Sequence, residues 1–443
     1  MAGLSSSGLD VNSLVSQLVA AERAPLEQRI SRAETANSSK STAVSQLRTS
    51  LTALQSALTG LKTNDALIIK RGTSSDTAVF KATVTNTAVP ASYAVEVTQL
   101  ATANGRASAE QAGGATTAIG SGELVFTQNG NSFTVAVATG TTLAGLRDAI
   151  NSAAGNTGVQ AAILTTSTGA RLTLTSTKTG AANAISMTAN NPADGLDTFV
   201  SGFTTTVAAQ DASVKINGIT VTSAVNSISG TLDGVTLDLV AAKPGTSLNL
   251  TVSTDLSAIK GQINRFVTEY NAFQTQASKL RAYDPKTRVG GPLLGDASLR
   301  TVESTLRREI SGKTSSVTGT YNMLGAIGIR FAADGKLSVN DTQLTAALNA
   351  NLDEVAKMFT AADGLAVRVD NVIKSQIDSS GALTQRSASL DQQKSRLTKD
   401  REVMEARLLT IQKRYQAQFI NLDRLLNEMQ GTSSQIAKIG TGT

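Results

Sequence analysis

Residues 44–61 read VSQLRTSLTALQSALTGL, with large apolar side chains at Val44, Leu47, Leu51, Leu54, Leu58 and Leu61. The steps between them are 3, 4, 3, 4 and 3 residues. That is a coiled-coil seam, narrower than the apolar face of a helix lying on a globular core. The spacing predicts one long helix over residues 26–62. A short amphipathic segment precedes it, with Val11, Leu14, Val15 and Leu18 on one face and Asp10 as its cap. Pro25 is expected to end that segment or start the long helix, because proline suits a first helical turn and disfavours helix at the residue before it.

The other end of the chain answers this seam. Leu390, Leu397, Met404, Ile411 and Leu425 share one heptad column, with Gln418 its polar exception. Leu408, Tyr415, Leu422 and Met429 share the companion column, which Lys394 and Arg401 occupy upstream. The seam is therefore dry only from about Met404 onward. An unpartnered helix of this kind leaves its stripe in water, so a partner helix is required. Either the N-terminal helix of the same chain or other copies can supply it. Polar residues 5–7 and 431–443 beside short apolar segments favour contacts outside the chain at the extreme ends.

If the two ends pair, everything between them is an insertion, and composition agrees. Between residues 73 and 255 there are 7 basic and 11 acidic residues, a net of −4. The flanks carry the other 33 basic and 23 acidic residues, a net of +10, within a chain total of +6. The middle is rich in Thr, Gly, Asn and Ala, and its periodicity changes from helical to alternating. Residues 123–139 (ELVFTQNGNSFTVAVAT) alternate around Asn129-Gly130, a strong hairpin dipeptide. Leu143, Leu146, Ala149 and Ile150 follow at helical spacing. Residues 159–176 then form a second hairpin turning near Thr168-Gly169, completing a β-β-α-β-β unit. Further strands turn at Asn217-Gly218 and Asp233-Gly234, and strands at residues 79–84 and 93–97 are expected to pair with them across the β-β-α-β-β unit.

From Leu256 the helical period returns through Ile259, Ile263, Phe266, Val267, Tyr270 and Phe273. A Gly/Pro loop leads to a helix through Leu299, Val302 and Leu306, capped by Asp296. A small hairpin turning at Asp334-Gly335 comes next, then helices around residues 344–359 and 365–377. The expected fold class is α+β, multidomain and nested: terminal coiled-coil helices and a helical leg domain enclosing two β-rich head domains. The expected boundaries are 1–42 and 405–443 for the terminal coiled-coil segments and 43–72 with 256–404 for the leg. One head domain spans 73–105 with 205–255, and the inserted one spans 106–204. At 443 residues the length suits about three domains.

Composition narrows the chemistry. With no Cys, His or Trp, the chain has no disulfides, thiol nucleophile, Ser-His-Asp triad or His-based metal site. Remaining enzyme-like patterns fail on context. Gly312-Lys313-Thr314 lacks the glycine a phosphate-binding loop needs at position 307, which is Arg307. The glycine-rich run 290–296 lacks the dinucleotide-binding spacing and reads as a loop. Asp233 and Asp238, five apart on an alternating strand, point to opposite faces. No cofactor is expected. The basic flanks interleave Lys and Arg with Asp and Glu and lack stacking aromatics, so no nucleic-acid partner is expected. No run approaches the roughly 18 apolar residues of a membrane span. The N-terminal residues lack a basic start and a continuous apolar core, so any export is expected to use a route without a cleaved signal peptide.

Several segments together resemble one family. Ser7-Gly8-Leu9-Asp10, Leu14-Val15-Ser16-Gln17-Leu18 and Glu22-Arg23-Ala24-Pro25 resemble the N-terminus of the bacterial flagellar filament-capping family, FliD or hook-associated protein 2. Its C-terminal block is resembled by Leu232-Asp233-Gly234-Val235-Thr236-Leu237, Tyr270-Asn271, Gly291-Pro292-Leu293-Leu294-Gly295-Asp296 and Asp334-Gly335-Lys336-Leu337. Residues 123–189 resemble the β-rich insert shared with flagellin and hook proteins. The resemblance implies a non-enzymatic cap at the distal tip of the filament, a ring of copies that retains exported flagellin and promotes its folding and insertion. It implies terminal segments that order on assembly and secretion through the flagellar type III channel. The implied partners are other copies of the chain, flagellin, the hook–filament junction protein and an export chaperone on the C-terminal segment. A host mucin or glycan is a further implied partner. An adhesin using the β head, or another flagellar axial protein, is the alternative. The residues expected to dock on the filament or on neighbouring copies are Leu14, Leu18, Leu408, Ile411, Tyr415, Leu422 and Leu425. The leg seam is expected at Leu47, Leu51, Leu54, Leu58, Leu390, Leu397 and Met404.

Overall fold

The structure is a computed structural model and describes residues 10–440. In chain order, α1 (Val11–Leu58) and the short α2 (Asn64–Leu67) lead into β1 (Lys70–Ser74), β2 (Phe80–Val84), β3 (Ala91–Gln99) and β4 (Ala103–Ala107). Next come β5 (Ser121–Gln128), β6 (Asn131–Val137), α3 (Leu143–Ser152), β7 (Val159–Thr165) and β8 (Ala170–Thr179). They are followed by β9 (Ser186–Ala193), α4 (Leu196–Ser201), β10 (Thr204–Val207), β11 (Ala212–Ile216) and β12 (Ile219–Ser223). The head closes with β13 (Ser227–Leu232), β14 (Val235–Leu239) and β15 (Leu248–Thr254). Then follow α5 (Leu256–Arg281), β16 (Tyr283–Asp284), β17 (Val289–Gly290), α6 (Ala297–Ser311), β18 (Ile329–Phe331) and β19 (Leu337–Val339). Four helices finish the chain: α7 (Asp341–Ala350), α8 (Leu352–Thr360), α9 (Leu365–Ile377) and α10 (Ala382–Gly440).

The chain divides into two compact units, Met1–Leu67 with Ser257–Thr443, and Ile68–Leu256. The second unit, the head, has two separate hydrophobic cores. One packs the five-stranded sheet β1-β15-β3-β11-β12 with the three-stranded sheet β13-β14-β2, around Phe80, Val95, Val214, Leu237 and Leu250. The early strands β2 and β3 thus pair with β14, β11 and β15, as the sequence predicts. The other core packs the four-stranded sheet β10-β4-β8-β7 with β6-β5-β9, around Leu124, Phe126, Leu146, Leu172 and Leu174.

Asn129 and Gly130 both take positive φ, 48° and 73°, as the two-residue turn between β5 and β6 requires. The two hairpins of the β-β-α-β-β unit do not share a sheet. β5 and β6 take β9 as their third strand, whereas β7 and β8 join β4 and β10. Buried Gln128 links the two layers: its Nε2 donates to Ser176 Oγ at 2.6 Å and to the Asn183 carbonyl at 2.8 Å.

In the helical unit, α5 buries Ile259, Ile263, Phe266, Val267, Tyr270 and Phe273 on one face. α9 packs against α1, α6, α8 and α10. The Gly291–Asp296 motif is a splice between helices. Leu293 N–H satisfies the Leu280 carbonyl near the end of α5 at 3.0 Å. The Asp296 carboxylate then caps α6 by accepting from Ser298 N–H at 2.9 Å. Asp370 is buried at 2% exposure beneath Lys62 Nζ (2.6 Å), Lys374 Nζ (3.0 Å) and Gln55 Nε2 (3.0 Å). Burial pushes its carboxyl up, but these three donors outweigh that and hold it below the usual carboxylate range.

Two expectations need correction. Pro25 neither ends nor starts a helix; it lies inside the continuous α1. It lacks the N–H that would bond back along the helix. The residues on both sides of it nevertheless face the same partner, α10, so tertiary pairing overrides the local break. The stretch 344–359 is two helices, α7 and α8, separated at Asn351, whose side chain accepts from Glu354 N–H to cap α8.

Candidate functional site

The candidate site is the hairpin that α1 and α10 form. The helices run antiparallel: side chains at 37, 34 and 23 of α1 reach α10 at 390, 401 and 405. The outer part of the α1 seam thus finds its partner in α10, whereas its inner part lies beside α9, where Arg48 reaches the Ile377 carbonyl and Gln55 reaches Asp370. Leu47, Leu51, Leu54 and Leu58 are wholly buried, and Leu390 and Met404 are buried opposite the α1 side, while Leu397 is half-buried.

The outer part of the hairpin has a small core of its own. Ile30, Met404 and Leu408 are buried together, with Val19 and Leu26 packed beside them. Ion pairs flank it. Arg23 grips Glu405 with both guanidinium arms, one at 2.7 Å. Arg401 does the same to Glu34, at 3.2 and 2.8 Å, and reaches Glu27 at 3.7 Å. The hydrogen bonds from Arg401 hold the Glu34 carboxyl below its ordinary range. Paired forks of this kind fix orientation more than they add stability at an exposed surface.

The expected docking residues fall into two groups. Leu408 and Ile411 are buried within the hairpin, so in this conformation they serve its own core. Leu14 and Tyr415 are half-buried, and the Arg414 guanidinium lies over the Tyr415 ring at 5.4 Å. Leu18, Leu422 and Leu425 are exposed, the last at 53%. They join Ile420, Met429 and Ile436, all exposed on α10, in leaving an apolar stretch along that helix open to solvent. Patches of this kind on otherwise charged surfaces mark contact sites.

The sequence reading passed over Arg23, Glu34, Asn37 and Glu405. A signal existed: stepping back by sevens from Val44 reaches Asn37 and then Ile30, both buried. The ion pairs carried none, because a charged residue on a heptad flank looks the same paired or unpaired.

Among the described residues, no group of three or more His, Cys, Asp or Glu is placed to hold a metal, and no helix is long and apolar enough to cross a membrane. Gly312 ends α6, in place of a phosphate-binding loop. Asp238 accepts from Ser227 Oγ at 2.6 Å.

Comparison with known proteins gives a consistent picture. Residues 7–104 match the family model for the flagellar hook-associated protein 2 N-terminus, and residues 209–431 match that for its C-terminus. Residues 123–178 match the flagellin hook IN motif. The chain is 30% identical to the A-type flagellar hook-associated protein 2 of Pseudomonas aeruginosa, over 98% of this chain and 95% of that one. It is 31% identical to flagellar hook-associated protein 2 of Escherichia coli K12, over 99% and 98%. Among solved structures, the D1-D2-D3 domains of the flagellar cap protein FliD from Escherichia coli align with a TM-score of 0.66 and 30% identity, covering 79% of this chain and 99% of that one.

Proposed function

The chain belongs to the flagellar hook-associated protein 2 family, and from that premise we propose that it is the structural cap at the distal tip of the bacterial flagellar filament. In this reading it keeps exported flagellin from being lost and promotes its folding and insertion below the cap. The observation that carries the proposal is the likeness to a solved cap protein across 79% of the chain. The physical chemistry is in keeping with it. Among the described residues there is no candidate catalytic constellation, while the hairpin offers a long apolar stripe of the kind used for helix–helix docking.

The partners in this reading are other copies of the chain, arranged as a ring, together with flagellin and the hook–filament junction protein. Leu14, Leu18, Leu422 and Leu425 make the first contacts with neighbouring helices. Leu408, Ile411 and Tyr415 contribute once the hairpin loosens. An export chaperone covers the exposed face of α10 before secretion, and export uses the flagellar type III channel without a cleaved signal. The head, charge-poor and mildly acidic, packs against its ring neighbours; binding to a host mucin or glycan is a secondary role for it.

The deciding experiment measures flagellin in the culture medium of a strain lacking this chain, with and without added purified protein. Heavy leakage with short or absent filaments, reversed by the added protein, is the expected result. Normal filaments without leakage would remove the capping role and leave adhesion through the head as the reading to pursue.

A further inference from the structure

Gln274, on α5, is 7% exposed, and its two amide atoms fare differently. Nε2 donates to the Gly335 carbonyl at 3.2 Å. Turning the amide over would set oxygen against oxygen, so Oε1 faces away from Gly335, where it is buried without a partner. Gln274 lines a cavity of about 320 Å³ walled by α5, α6 and the β18–β19 turn. Three arginines, Arg281, Arg300 and Arg307, share the walls with two carboxylates, Glu303 and Asp334. Both carboxylates are taken: Arg281 reaches Glu303 at 3.3 Å, and Lys336 reaches Asp334 at 3.7 Å. Arg300 reaches the Gly295 carbonyl at 3.5 Å, and the Arg307 guanidinium lies over the Phe331 ring at 4.9 Å; among the described residues neither forms an ion pair. Positions 300, 304 and 307 fall on one face of α6, so the two cations are presented together.

We propose that this cavity is a carboxylate site for a second copy of the chain: Arg300 and Arg307 close on an Asp or Glu side chain, and Gln274 Oε1 accepts the backbone N–H beside it. A free inorganic anion would meet the arginines but set another oxygen against Gln274. An acidic residue within a peptide carries both the anion and the donor. Arginine suits the task, because its planar fork matches a carboxylate, and the Phe331 ring already holds Arg307 in place. The chain carries the complement of its own site. Residues 73–255 have a net charge of −4 against +10 for the rest, and the head exposes acidic side chains such as Asp197 and Asp233. Basic flanks repel one another, so the head of another copy is the favoured source. The inference rests on the ring of copies in the reading above.

Crosslinking of the full chain tests the site directly. Arg300→Lys places an amine there, and a carbodiimide joins an amine to a carboxylate in contact with it. With isotope-labelled and unlabelled Arg300→Lys protein mixed, mass spectrometry is expected to find position 300 joined to an acidic residue of 73–255 in mixed-label pairs. Sedimentation of the purified chain should show self-association that weakens as salt rises. Arg300→Glu with Arg307→Glu should weaken it at least about tenfold, with the melting temperature unchanged. Position 300 joined only within its own chain, or to nothing, would overturn the inference even if the double variant failed to fold. So would unchanged self-association in a folded double variant. Capture of a flagellin carboxylate in place of this chain's own would overturn the choice of a second copy. Mixed-label crosslinks in a protein that fails to stop flagellin leakage would count against the capping reading and leave the site standing.

Discussion

Asn271 holds the backbone of Leu337 from both sides: its Nδ2 donates to the Leu337 carbonyl at 2.9 Å, and its Oδ1 accepts the Leu337 amide at 2.7 Å. A side chain of α5 thereby pairs with β19 as a neighbouring strand would. The adjacent Tyr270, buried, donates its hydroxyl to the Gly335 carbonyl at 3.2 Å. Burial pushes that hydroxyl up to about 12, so it stays a donor throughout the physiological range. Two motifs 60-odd residues apart in sequence, Tyr270-Asn271 and Asp334-Gly335-Lys336-Leu337, are one structural joint. Gly335 is required there: its φ is 83°, and a Cβ would stand 2.8 Å from Gln274 Nε2.

Replacing Asn271 by Ala leaves both backbone groups of Leu337 without their partner. The expected cost is about 1–3 kcal/mol, seen as a lower urea midpoint for the helical unit. Asn271→Asp should do at least as much damage, because a carboxylate cannot donate to the Leu337 carbonyl. An unchanged midpoint in both variants would show that water replaces the joint without loss.

Asp370 gives the helical unit an acid-sensitive element. Its folded carboxyl titrates below the unfolded value of about 3.9. A depressed pKa contributes stability that is fully present above the unfolded value and is lost as pH falls through the folded one. The contribution is therefore intact at pH 7 and fades below about pH 4. Asp370→Asn should cost about 2–3 kcal/mol at neutral pH and flatten the acid limb of a stability–pH curve. A variant as acid-sensitive as the parent would assign that limb to other carboxylates.

Local chemistry was legible in the sequence where one short segment decides the outcome. Asn129-Gly130 dictates its turn, Asp296 its cap, and the steps of 3 and 4 from Val44 dictate a long helix with a narrow seam. What was not legible depends on residues far apart. Nothing in 123–176 says that its two hairpins enter different sheets, because that choice is made by β9, β4 and β10. Pro25 looked like a boundary because its local cost is visible in sequence, while the α10 surface that holds both sides of it is not. Asn37 occupies the heptad column but is polar, so apolar periodicity does not mark it.

The two cores of the head predict separable damage. Phe126 stacks on Phe133 across the β5–β6 pair, ring centroids 5.0 Å apart, wholly inside the inserted core. Phe126→Ala should cost about 3–5 kcal/mol. The melting of the head should split, with the core around Phe80 and Leu237 lost at the parent temperature. A single transition shifted as a whole would mean that the two cores fold as one cooperative unit despite their separate packing.

The proposed docking and the hairpin packing are distinguishable because the structure buries some of the proposed docking residues in the hairpin and leaves others exposed. Ile411 is buried in the hairpin, so Ile411→Asp mixes loss of that packing with loss of any contact outside the chain. Leu422 and Leu425 are exposed on α10, at 44% and 53%, so a charge there costs the free protein little, within about half a kcal/mol. Leu422→Asp with Leu425→Asp should therefore leave the thermal melting of the purified chain unchanged. In cells the same variant should leak flagellin into the medium, because an aspartate cannot enter an apolar helix interface without losing its water. Full capping by the double variant would remove this stretch of α10 from the docking surface and shift the weight to Leu14, Leu18 and Tyr415. A drop in melting temperature would show instead that the stripe is already covered within the free protein. Because the chain contains no cysteine, single cysteines introduced at 422 and 425 give a label at each position, and protection of those thiols on addition of filaments reads the contact directly.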